Sequence, residues 1–274
     1  MILDENRIFL YFYDLKCFIM KPVILMENNE YILEGNISVK AAIINAFRSV
    51  SAIYVDPEKK DKDTFYILRE ANQRGIKIVY RSRAEIDAMA SGRTHGGMLA
   101  KVGERTFQSL DDFLSKDTVY LAMIEGIEDP FNFGYLLRTF YAAGVDAVIL
   151  PKRNWTTAAD VVTRASAGAS EAIPLIIAED MEEILGQLKQ ADIPLYCAER
   201  KNACSLYDIE FPRRLCIAIG GEMRGLSKAV RAAADQNIYI PYGRDARNAL
   251  NAAAAAAIFS FEVLRQQIKK TCDQ

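Results

Sequence analysis

The sequence has few residues that could bind a metal or form disulfide bonds. Its five cysteines are an odd number without a Cys-x-x-Cys pair, and His95 is the single histidine. Structural zinc sites and disulfide frameworks need such residues in pairs or closely spaced groups. We therefore expect neither a metal site nor a disulfide framework, and we interpret the cysteines as reduced thiols of a cytoplasmic protein. They are Cys17, Cys197, Cys204, Cys216 and Cys272.

A long hydrophobic run is also missing. The apolar segment Ile8 to Met20 contains Asp14 and Lys16, and it has neither a basic start nor a small-residue cleavage site. A secretory signal needs those features, and a membrane span needs about 20 apolar residues. We expect no signal and no membrane partner, and we interpret residues 1–22 as an extension ahead of the first domain.

The chain carries no large excess of charge of either sign. Its formal net charge is −2, so the field of the whole molecule does not indicate a nucleic-acid partner. Any affinity for RNA must come from local clusters of Lys and Arg. The contents of 51% hydrophobic and 26% charged residues are those of a globular protein. A length of 274 residues allows one large domain or two ordinary ones.

Residues 23–116 alternate between strand-like and helix-like patterns, which predicts a first α/β domain. Ile53–Asp56 and Ile76–Tyr80 have the β-branched and aromatic residues of short strands. The polar stretch Asp111 to Asp117 is interpreted as the end of this domain and a short linker.

Two helices are predicted in the first domain. One spans Val39 to Phe47, with Ser38 as its N-cap. The other spans Lys62 to Arg74 and ends at Gly75. The residues expected on the apolar face of the second helix are Phe65, Leu68 and Ala71.

The second half, residues 117–274, contains apolar runs typical of strands buried on both faces of a parallel sheet. A long helix is predicted from Asn248 to Lys269, because it includes an unbroken run of alanine, the strongest helix former. The four predicted strands are Val119–Ile124, Ala147–Leu150, Leu215–Ile219 and Ile238–Ile240.

Three polar segments each follow a predicted strand, at the position where ligands bind in open α/β sheets. In the first, Asn132 and Gly134 lie just before a predicted helix and Arg138 lies on its first turns. This segment could be a simple turn, with Asn132 as a helix cap and Arg138 in solvent. Alternatively, Arg138 points back at a phosphate or a reacting hydroxyl, beside backbone exposed at Gly134.

The second segment begins with Gly220 and Gly221, directly after a buried strand. Glycine allows a ligand to approach the backbone where a Cβ would block it. Glu222 would then lie near the sheet edge, and Ser227 would begin or cap the next helix. A Gly-Gly turn alone is a weak signal, but the string Gly-Gly-Glu-Met-Arg-Gly-Leu-Ser is more specific.

The third segment leads from Ile240 through a Pro-Tyr-Gly turn to Asn251 and the alanine-rich helix. By itself it indicates only a strand, a turn and a capped helix. Taken together and in order, the three segments resemble the motifs of the SpoU/TrmH family of RNA ribose 2′-O-methyltransferases. The matching residues are Asn132, Gly134 and Arg138, then Gly220, Glu222, Gly225, Leu226 and Ser227, then Ile240, Pro241, Gly243, Leu250 and Asn251.

The resemblance implies a fold class, a cofactor and a partner. The fold is α/β, with a carboxyl-terminal SPOUT-type parallel-sheet domain tied in a deep trefoil knot, a rare exception to unknotted topology. A smaller α/β RNA-binding domain precedes it. The implied cofactor is S-adenosylmethionine, held by Gly220, Ile240 and Leu250. Family members pair through the knotted domain, so a homodimer with an active site built from both subunits is expected.

The implied reaction is attack of a ribose 2′-oxygen on the methyl group of the cofactor. Arg138 is the family's key residue. Because a guanidinium normally stays charged, we expect Arg138 to anchor an RNA phosphate and to stabilise negative charge developing on the oxygen. Asn132 is expected to orient the ribose or Arg138, Glu222 to position Arg138 or a loop, and Asn251 to support the site.

The chain departs from the family pattern at one place. The family has serine before the Leu-Asn pair and again two residues after it, where this chain has Ala249 and Ala253. If a serine hydroxyl orients the substrate or the arginine, its loss removes a hydrogen bond worth about 0.5–1.5 kcal/mol. A side chain elsewhere would have to replace it.

The first half resembles the amino-terminal RNA-binding domain of two-domain family members, a ribosomal-protein-type α/β sandwich. The resemblance rests on Glu34-Gly35-Asn36 and on Ser91 to Ala100. Basic residues of the region 69–105 are usual on a solvated face, and the family context favours contact with phosphates. For the lone histidine, a structural or an RNA-contacting role is favoured over a catalytic one. The residues assigned to RNA binding are Arg81, Arg83, Arg93 and His95.

The sequence is compatible with three functions. The first is a 2′-O-methyltransferase of ribosomal RNA, since the two-domain layout resembles ribosomal RNA modifiers, with transfer RNA as the next substrate. The second is a non-catalytic RNA-binding or ribosome-assembly protein of the same fold, which Ala249 favours. The third is an α/β protein that binds another nucleotide-like ligand.

Overall fold

The structure, a computed structural model, describes residues 30–152, 159–245 and 249–272. Residues 1–22, interpreted above as an extension, lie outside this part. Within it, two sheets of four and seven strands follow one another along the chain.

The four strands of the first sheet are β1 (Tyr31–Glu34), β2 (Arg48–Val55), β3 (Lys77–Tyr80) and β4 (Met98–Arg105). Their order in the sheet is β1-β4-β2-β3. β4 pairs antiparallel with both β1 and β2, and β2 pairs parallel with β3. The two predicted strands of this region are thereby confirmed.

Three helices accompany the first sheet: α1 (Gly35–Asn45), α2 (Lys62–Gln73) and α3 (Arg83–Met89). Asp61 caps α2 by accepting a hydrogen bond from the Thr64 backbone N–H. Ser82 begins α3 with a capping box, in which its side chain and that of Glu85 each bind the other's backbone N–H. These caps explain why both helices start where they do.

Two details of the predicted helices are wrong. α1 begins at Gly35, because the chain passes from β1 into the helix through the left-handed backbone of this glycine (φ +84°), so Ser38 is buried inside the helix. In α2 the buried face centres on Ile67 and Ala71. Phe65 lies two positions before Ile67, toward the opposite side of a 3.6-residue helix, and is 62% exposed.

The second sheet is parallel throughout, with the order β7-β6-β5-β10-β8-β11-β9. Its strands are β5 (Val119–Glu125), β6 (Ala147–Pro151), β7 (Leu175–Ala178), β8 (Leu195–Ala198), β9 (Ala203–Ser205), β10 (Arg214–Gly220) and β11 (Gln236–Tyr239). The four predicted strands correspond to β5, β6, β10 and β11. The sequence did not predict β7, β8 and β9, which have only three or four residues each.

Helices cover both faces of this sheet. They are α4 (Asp111–Leu114), α5 (Pro130–Ala142), α6 (Ala159–Ala165), α7 (Met181–Gln190), α8 (Lys228–Ala233) and α9 (Ala252–Cys272). Alternate residues of β5 point to opposite sides, as expected for a strand buried on both faces. Tyr120 and Ala122 pack with residues of α5 and α9, whereas Leu121 and Met123 pack with residues of α4, α7 and α8.

Two further predictions differ from the observed elements. Segment 111–117 contains α4, whose Phe113 is buried in the same cluster as Leu121, so it packs against the large sheet and is not a free linker. The long carboxyl-terminal helix begins at Ala252, and the predicted start at Asn248 lies outside the described residues.

The two domains pack against each other through a defined set of elements. α1 and β1 contact α6 and the short 3-10 turn at Ala169–Glu171. The connecting segment is held as well, since the Gln108 N–H donates to the Leu175 carbonyl oxygen of β7 at 2.9 Å. Among the helices that the structure describes, none is both long and apolar enough to cross a bilayer.

Candidate active site at the carboxyl edge of the large sheet

The second motif packs directly on the end of β5, the strand that leads into the first motif, because β5 and β10 are neighbours in the sheet. The Gly221 N–H donates to the Glu125 carbonyl oxygen at 2.7 Å. The Glu125 carboxylate accepts a 2.7 Å hydrogen bond from the Ser227 N–H at the start of α8. Ser227 itself caps α8 by accepting from Val230, as the sequence predicted.

Glycines make this close approach of the two loops possible. A Cβ on Gly221 would lie 1.9 Å from the Gly126 carbonyl oxygen, and one on Gly220 would lie 2.5 Å from the Gly225 carbonyl carbon. Gly126 and Gly225 both have positive φ angles, of 69° and 63°. The space that a Cβ would fill at Gly220 and Gly221 is therefore occupied by other backbone, which corrects the sequence interpretation that these positions lack a Cβ to make room for a ligand.

The first motif lies inside α5 and not ahead of it. α5 begins at Pro130, with the Asp129 carboxylate accepting from the Asn132 N–H, so Asn132 occupies the first turn and is not the cap. Gly134 is buried. A Cβ there would lie 2.6 Å from the Ala165 Cβ and 2.9 Å from the Val162 carbonyl oxygen, so this glycine allows α6 to cross α5 closely. The backbone at Gly134 therefore faces α6 and not a ligand.

Arg138 and Glu222 are both exposed. Arg138 lies eight positions after Pro130, about 12 Å along the helix axis from the start of α5 at a rise of 1.5 Å per residue. In the described part of the chain, no hydrogen bond or ion pair joins Arg138 to Asn132, Glu222 or Asn251. The catalytic roles assigned to these four residues stay predictions.

The third motif lies further along the same edge, because β8 separates β11 from β10. Asn251 is the N-cap of α9: its Oδ1 accepts from the Ala254 N–H at 2.8 Å, and its carbonyl oxygen accepts from the Ala255 N–H. Ala249, at the position of the family serine, and Leu250 are exposed just before this cap.

Tyr242 connects the turn after β11 to the segment before α9. The Leu250 N–H donates to the Tyr242 hydroxyl oxygen at 2.9 Å. The Arg200 guanidinium lies 4.7 Å from the centre of the Tyr242 ring. Partial burial acts to raise the pKa of Tyr242, but the Leu250 N–H and Arg200 together lower it below its ordinary value. The hydroxyl keeps its own hydrogen for a further partner.

The end of β8 is a part of this edge that the sequence interpretation missed. Ala198 pairs with Ile238 of β11, and the Glu199 N–H donates to the Ile238 carbonyl oxygen at 3.0 Å. Arg200 follows and stacks on Tyr242. The apolar run from Ile193 to Ala198 was the available signal, but it is too short to distinguish a strand from a helix segment.

A cleft of about 360 Å³ opens at the ends of β5 and β6. Lys152 and Arg224 contribute cationic groups and Glu128 an anionic one, and an ion pair joins Arg224 to Glu128 at 3.5 Å. The residues that line the cleft are Ile124, Gly126, Ile127, Glu128, Leu150, Pro151, Lys152 and Arg224. In the described residues, no group of three His, Cys, Asp or Glu side chains is placed to hold a metal ion.

The residues assigned to RNA binding lie on and beside the loop between α3 and β4. Arg81, Arg83 and Arg93 are exposed, with ion pairs joining Arg81 to Glu85 at 3.7 Å and Arg83 to Asp87 at 2.9 Å. His95 is 2% exposed, its Nδ1 accepts from the Gly97 N–H, and its Nε2 lies 3.0 Å from Asp87. With both ring nitrogens occupied, His95 can shape the loop, and the direct RNA contact assigned to it does not fit its burial.

These features define a class: a two-domain α/β protein in which an open parallel sheet brings polar, glycine-packed loops to its carboxyl edge. Two family models match the chain. The SpoU rRNA methylase family matches residues 119–261, and the RNA 2′-O ribose methyltransferase substrate-binding family matches residues 32–108. The chain belongs to the SpoU/TrmH family of RNA methyltransferases.

Curated relatives support this membership over nearly the whole chain. A protein from Staphylococcus epidermidis assigned to the TrmH family of tRNA/rRNA methyltransferases is 30% identical over 243 residues, covering 87% of this chain and 96% of the relative. A TrmH-family relative from Staphylococcus aureus strain COL is 30% identical over 241 residues, covering 86% and 96%.

Solved structures show the same fold at lower sequence identity. The SpoU methyltransferase AviRb from Streptomyces viridochromogenes, in complex with AdoMet, aligns with a TM-score of 0.74 and 21% identity, covering 88% of this chain and 92% of that one. The AdoMet-bound rRNA methyltransferase from Sinorhizobium meliloti aligns with a TM-score of 0.72 and 18% identity, covering 86% and 87%.

Proposed function

We propose that this protein transfers the methyl group of S-adenosylmethionine to a ribose 2′-hydroxyl of RNA, with ribosomal RNA as the substrate. The observation that carries the proposal is the packing of the second motif loop on the end of β5, which leads into the first motif, through Glu125, Gly221 and Ser227. The match of residues 32–108 to the substrate-binding family supports RNA, and the relatives described as tRNA/rRNA methyltransferases support both RNA classes.

The residues along the edge fit the proposed cofactor. An adenosine needs backbone donors and acceptors, an apolar wall and open space beside them. The loops after β8, β10 and β11 supply the backbone groups, and Ile240 and Leu250 are apolar side chains at this edge that are not fully buried. Cβ atoms on Gly225 and Gly243 would meet no atom within 4 Å, so both glycines border open space. Gly220, Ile240 and Leu250 are the proposed contacts.

Bound at this edge, the cofactor would supply an electrophilic methyl group. The chain must then hold the ribose in line and stabilise negative charge as the 2′-oxygen loses its proton. We assign charge stabilisation and phosphate anchoring to the exposed guanidinium of Arg138. Asn132, in the first turn of α5, is assigned to orienting the ribose, Glu222 to positioning, and Asn251 to supporting the site through its cap of α9.

We further propose that the protein is a homodimer with the carboxyl-terminal domain knotted, acting in the cytoplasm. α5 and α9 pack together and leave an exposed apolar surface beside Arg138. Phe131, Tyr135 and Tyr141 on α5 share the helix face of Arg138, and each is about half exposed. We propose that a second copy covers this surface and that Arg138 then acts at the sheet edge of the partner. This arrangement is favoured because Arg138 lies about 12 Å along α5 from the start of the helix in its own subunit.

Methylation of RNA from a strain lacking the gene tests the proposal. With labelled cofactor, we expect the wild type to label RNA and Arg138→Ala to lose about 100-fold or more of that activity. Arg213→Ala is the matched control, because Arg213 is also exposed but precedes β10 at the opposite edge of the sheet. Its activity should match the wild type.

Mapping the labelled nucleotide decides between the RNA classes. A label in transfer RNA would identify transfer RNA as the substrate in place of ribosomal RNA. A label on a base would contradict ribose methylation. Binding of RNA without any affinity for the cofactor would favour the non-catalytic alternative, for which Ala249 is the argument.

A further inference from the structure

A buried carboxylate holds the start of the loop that carries Arg93. The Glu34 side chain is 1% exposed. Its Oε1 accepts hydrogen bonds from the Ser91 N–H at 2.6 Å, the Ser91 hydroxyl at 2.8 Å and the Gly92 N–H at 3.1 Å. Burial raises the pKa of Glu34, but these bonds and the charge of Arg164 together bring it below its ordinary value. Glu34 is therefore a charged anchor for the loop Ser91–Gly97.

The same carboxylate also binds the other domain. Its Oε2 accepts a 2.6 Å hydrogen bond from Arg164 Nη1, and Arg164 lies on α6 beside the large sheet. The contact is tight: a Cβ on Gly92 would lie 2.8 Å from Arg164 Nη1 and 2.9 Å from Glu34 Oε2. One side chain thus bridges the loop of the small domain and a helix of the large one.

α6 continues this bridge to the helix that carries the proposed catalytic arginine. Val162 and Ala165, on either side of Arg164, make the close crossing with α5 at Gly134. Gly134 lies one helical turn before Arg138. Contacts therefore run without interruption from the loop Ser91–Gly97 through Glu34 and Arg164 to α5.

A second set of buried charges fixes the same interface from the other end of the small domain. Glu171 Oε2 accepts from Arg48 Nε at 2.9 Å and lies 3.7 Å from Arg105 Nη1. Arg105 Nη2 also donates to the Ile173 carbonyl oxygen at 2.6 Å. Two separate polar contacts therefore join the small domain to the large one.

We propose that Glu34 and Arg164 are positioning residues that set the distance between the RNA-binding loop Ser91–Gly97 and Arg138, and thereby select which nucleotide is methylated. The proposal rests on the RNA methyltransferase function proposed above. Ser91 and Gly92 donate to one oxygen of Glu34 inside the small domain, so this oxygen keeps its partners when Arg164 is replaced. The role of Arg164 is to connect the loop to the other domain.

Arg164→Met tests this role, since it keeps an unbranched side chain but removes the bond to Glu34. We expect the KM for RNA to rise about tenfold through misplacement of the substrate. Affinity for the cofactor should stay within about twofold, because the bond between Arg164 and Glu34 lies at the domain interface and not among the residues proposed to contact the cofactor. Labelled methyl groups should also appear on nucleotides near the one that the wild type methylates. Hydrogen exchange of the Ser91–Gly97 amides should become faster.

Two further variants make the test specific. Arg164→Lys keeps the charge and should recover part of the RNA affinity and of the site selection. Lys40→Met is the matched control: it removes a 3.1 Å ion pair with Asp63 that lies within the small domain, and it should leave all these measurements unchanged.

The proposal is overturned if Arg164→Met, still folded by circular dichroism, retains the wild-type KM, methylation site and loop exchange. It is also overturned if kcat, RNA affinity and cofactor affinity all fall together, which indicates a structural role. If the wild type methylates no RNA, the proposed function fails. In that case the inference is tested by RNA affinity in filter binding and by hydrogen exchange of the Ser91–Gly97 amides. The inference requires that Arg164→Met lowers the RNA affinity and makes the exchange faster.

Discussion

Gly221 allows the loop after β10 to pack against the end of β5. The sequence predicted a close approach at Gly220 and Gly221, because paired glycines directly after a buried strand have that use. It could not predict what approaches, since Gly126 lies far earlier in the chain and is brought there only by the pairing of β5 with β10. His95 is similar: its place in the first domain suggested a structural role or a contact with RNA, and only the fold shows that it is buried.

Substitution of Gly221 by alanine is expected to disrupt the sheet edge. The new Cβ would overlap the Gly126 carbonyl oxygen, and backbone at this junction can move only by breaking the bond between Gly221 and Glu125. Such overpacking should cost about 3 kcal/mol or more in the free energy of unfolding. Urea denaturation measures this, and cofactor binding should be lost with it.

Gly186→Ala is the control for that substitution. Gly186 lies within α7, where a Cβ would meet no atom within 4 Å. Alanine there should stabilise the protein by about 0.5–1 kcal/mol, because glycine is unfavourable inside a helix. A Gly221→Ala protein as stable as the wild type would show that the two loops do not pack as described.

At the scale of elements, the strands with strongly apolar or β-branched runs were predictable, and three of the short strands of the large sheet were not. The strongly apolar runs of β5 and β10 were recognised. β7, β8 and β9 have three or four residues each and were not distinguished from helix or loop, and they form by pairing with neighbouring strands. The helix boundaries moved for local reasons. α5 begins at Pro130 because Asp129 is its N-cap. α9 begins at Ala252 because Asn251 is its N-cap, although alanine, a strong helix former, also lies before Asn251 at Ala249.

Asn251 can be tested as a cap separately from any role in the reaction. Asn251→Ala should lower the free energy of unfolding by about 1 kcal/mol through loss of the bond to the Ala254 N–H. Asn251→Ser should restore most of that stability, since serine is an equally good N-cap. Thermal unfolding measures the first effect, and methylation by the Asn251→Ser protein reports whether the amide itself is needed.

The outcomes separate the two roles. A stable but inactive Asn251→Ser protein assigns the amide to the site, and an active one assigns Asn251 to the helix alone. Unchanged stability of Asn251→Ala would contradict the capping contact.

At the scale of the whole molecule, the two domains are joined by buried charges that no sequence pattern reveals. Arg48 and Glu171 are 123 positions apart. In the sequence, the basic residues of the first half suggested only a solvated or phosphate-binding face. Burial lowers the pKa of Arg105 to about 10, against the opposing influence of Glu171, so this guanidinium depends on its interdomain partners.

Loss of the Glu171 charge is therefore expected to weaken the whole molecule. Glu171→Gln leaves Arg48 and Arg105 buried without a counter-charge and should cost about 3–5 kcal/mol in the free energy of unfolding. Asp63→Asn, which removes an exposed ion pair, should cost no more than about 1 kcal/mol. Urea denaturation of both proteins makes the comparison, and equal stabilities would show that the interdomain charges contribute nothing.

The order of the large sheet has a consequence for synthesis of the protein. β10 lies between β5 and β8, so the strand that completes the middle of the sheet is made after both of its neighbours. Until it leaves the ribosome, a nascent chain exposes an unpaired side of β5, and an open strand edge invites pairing with other chains. Pairings between distant segments also form slowly. Translation between β7 and β10 is thus the interval in which this chain most needs protection by a chaperone.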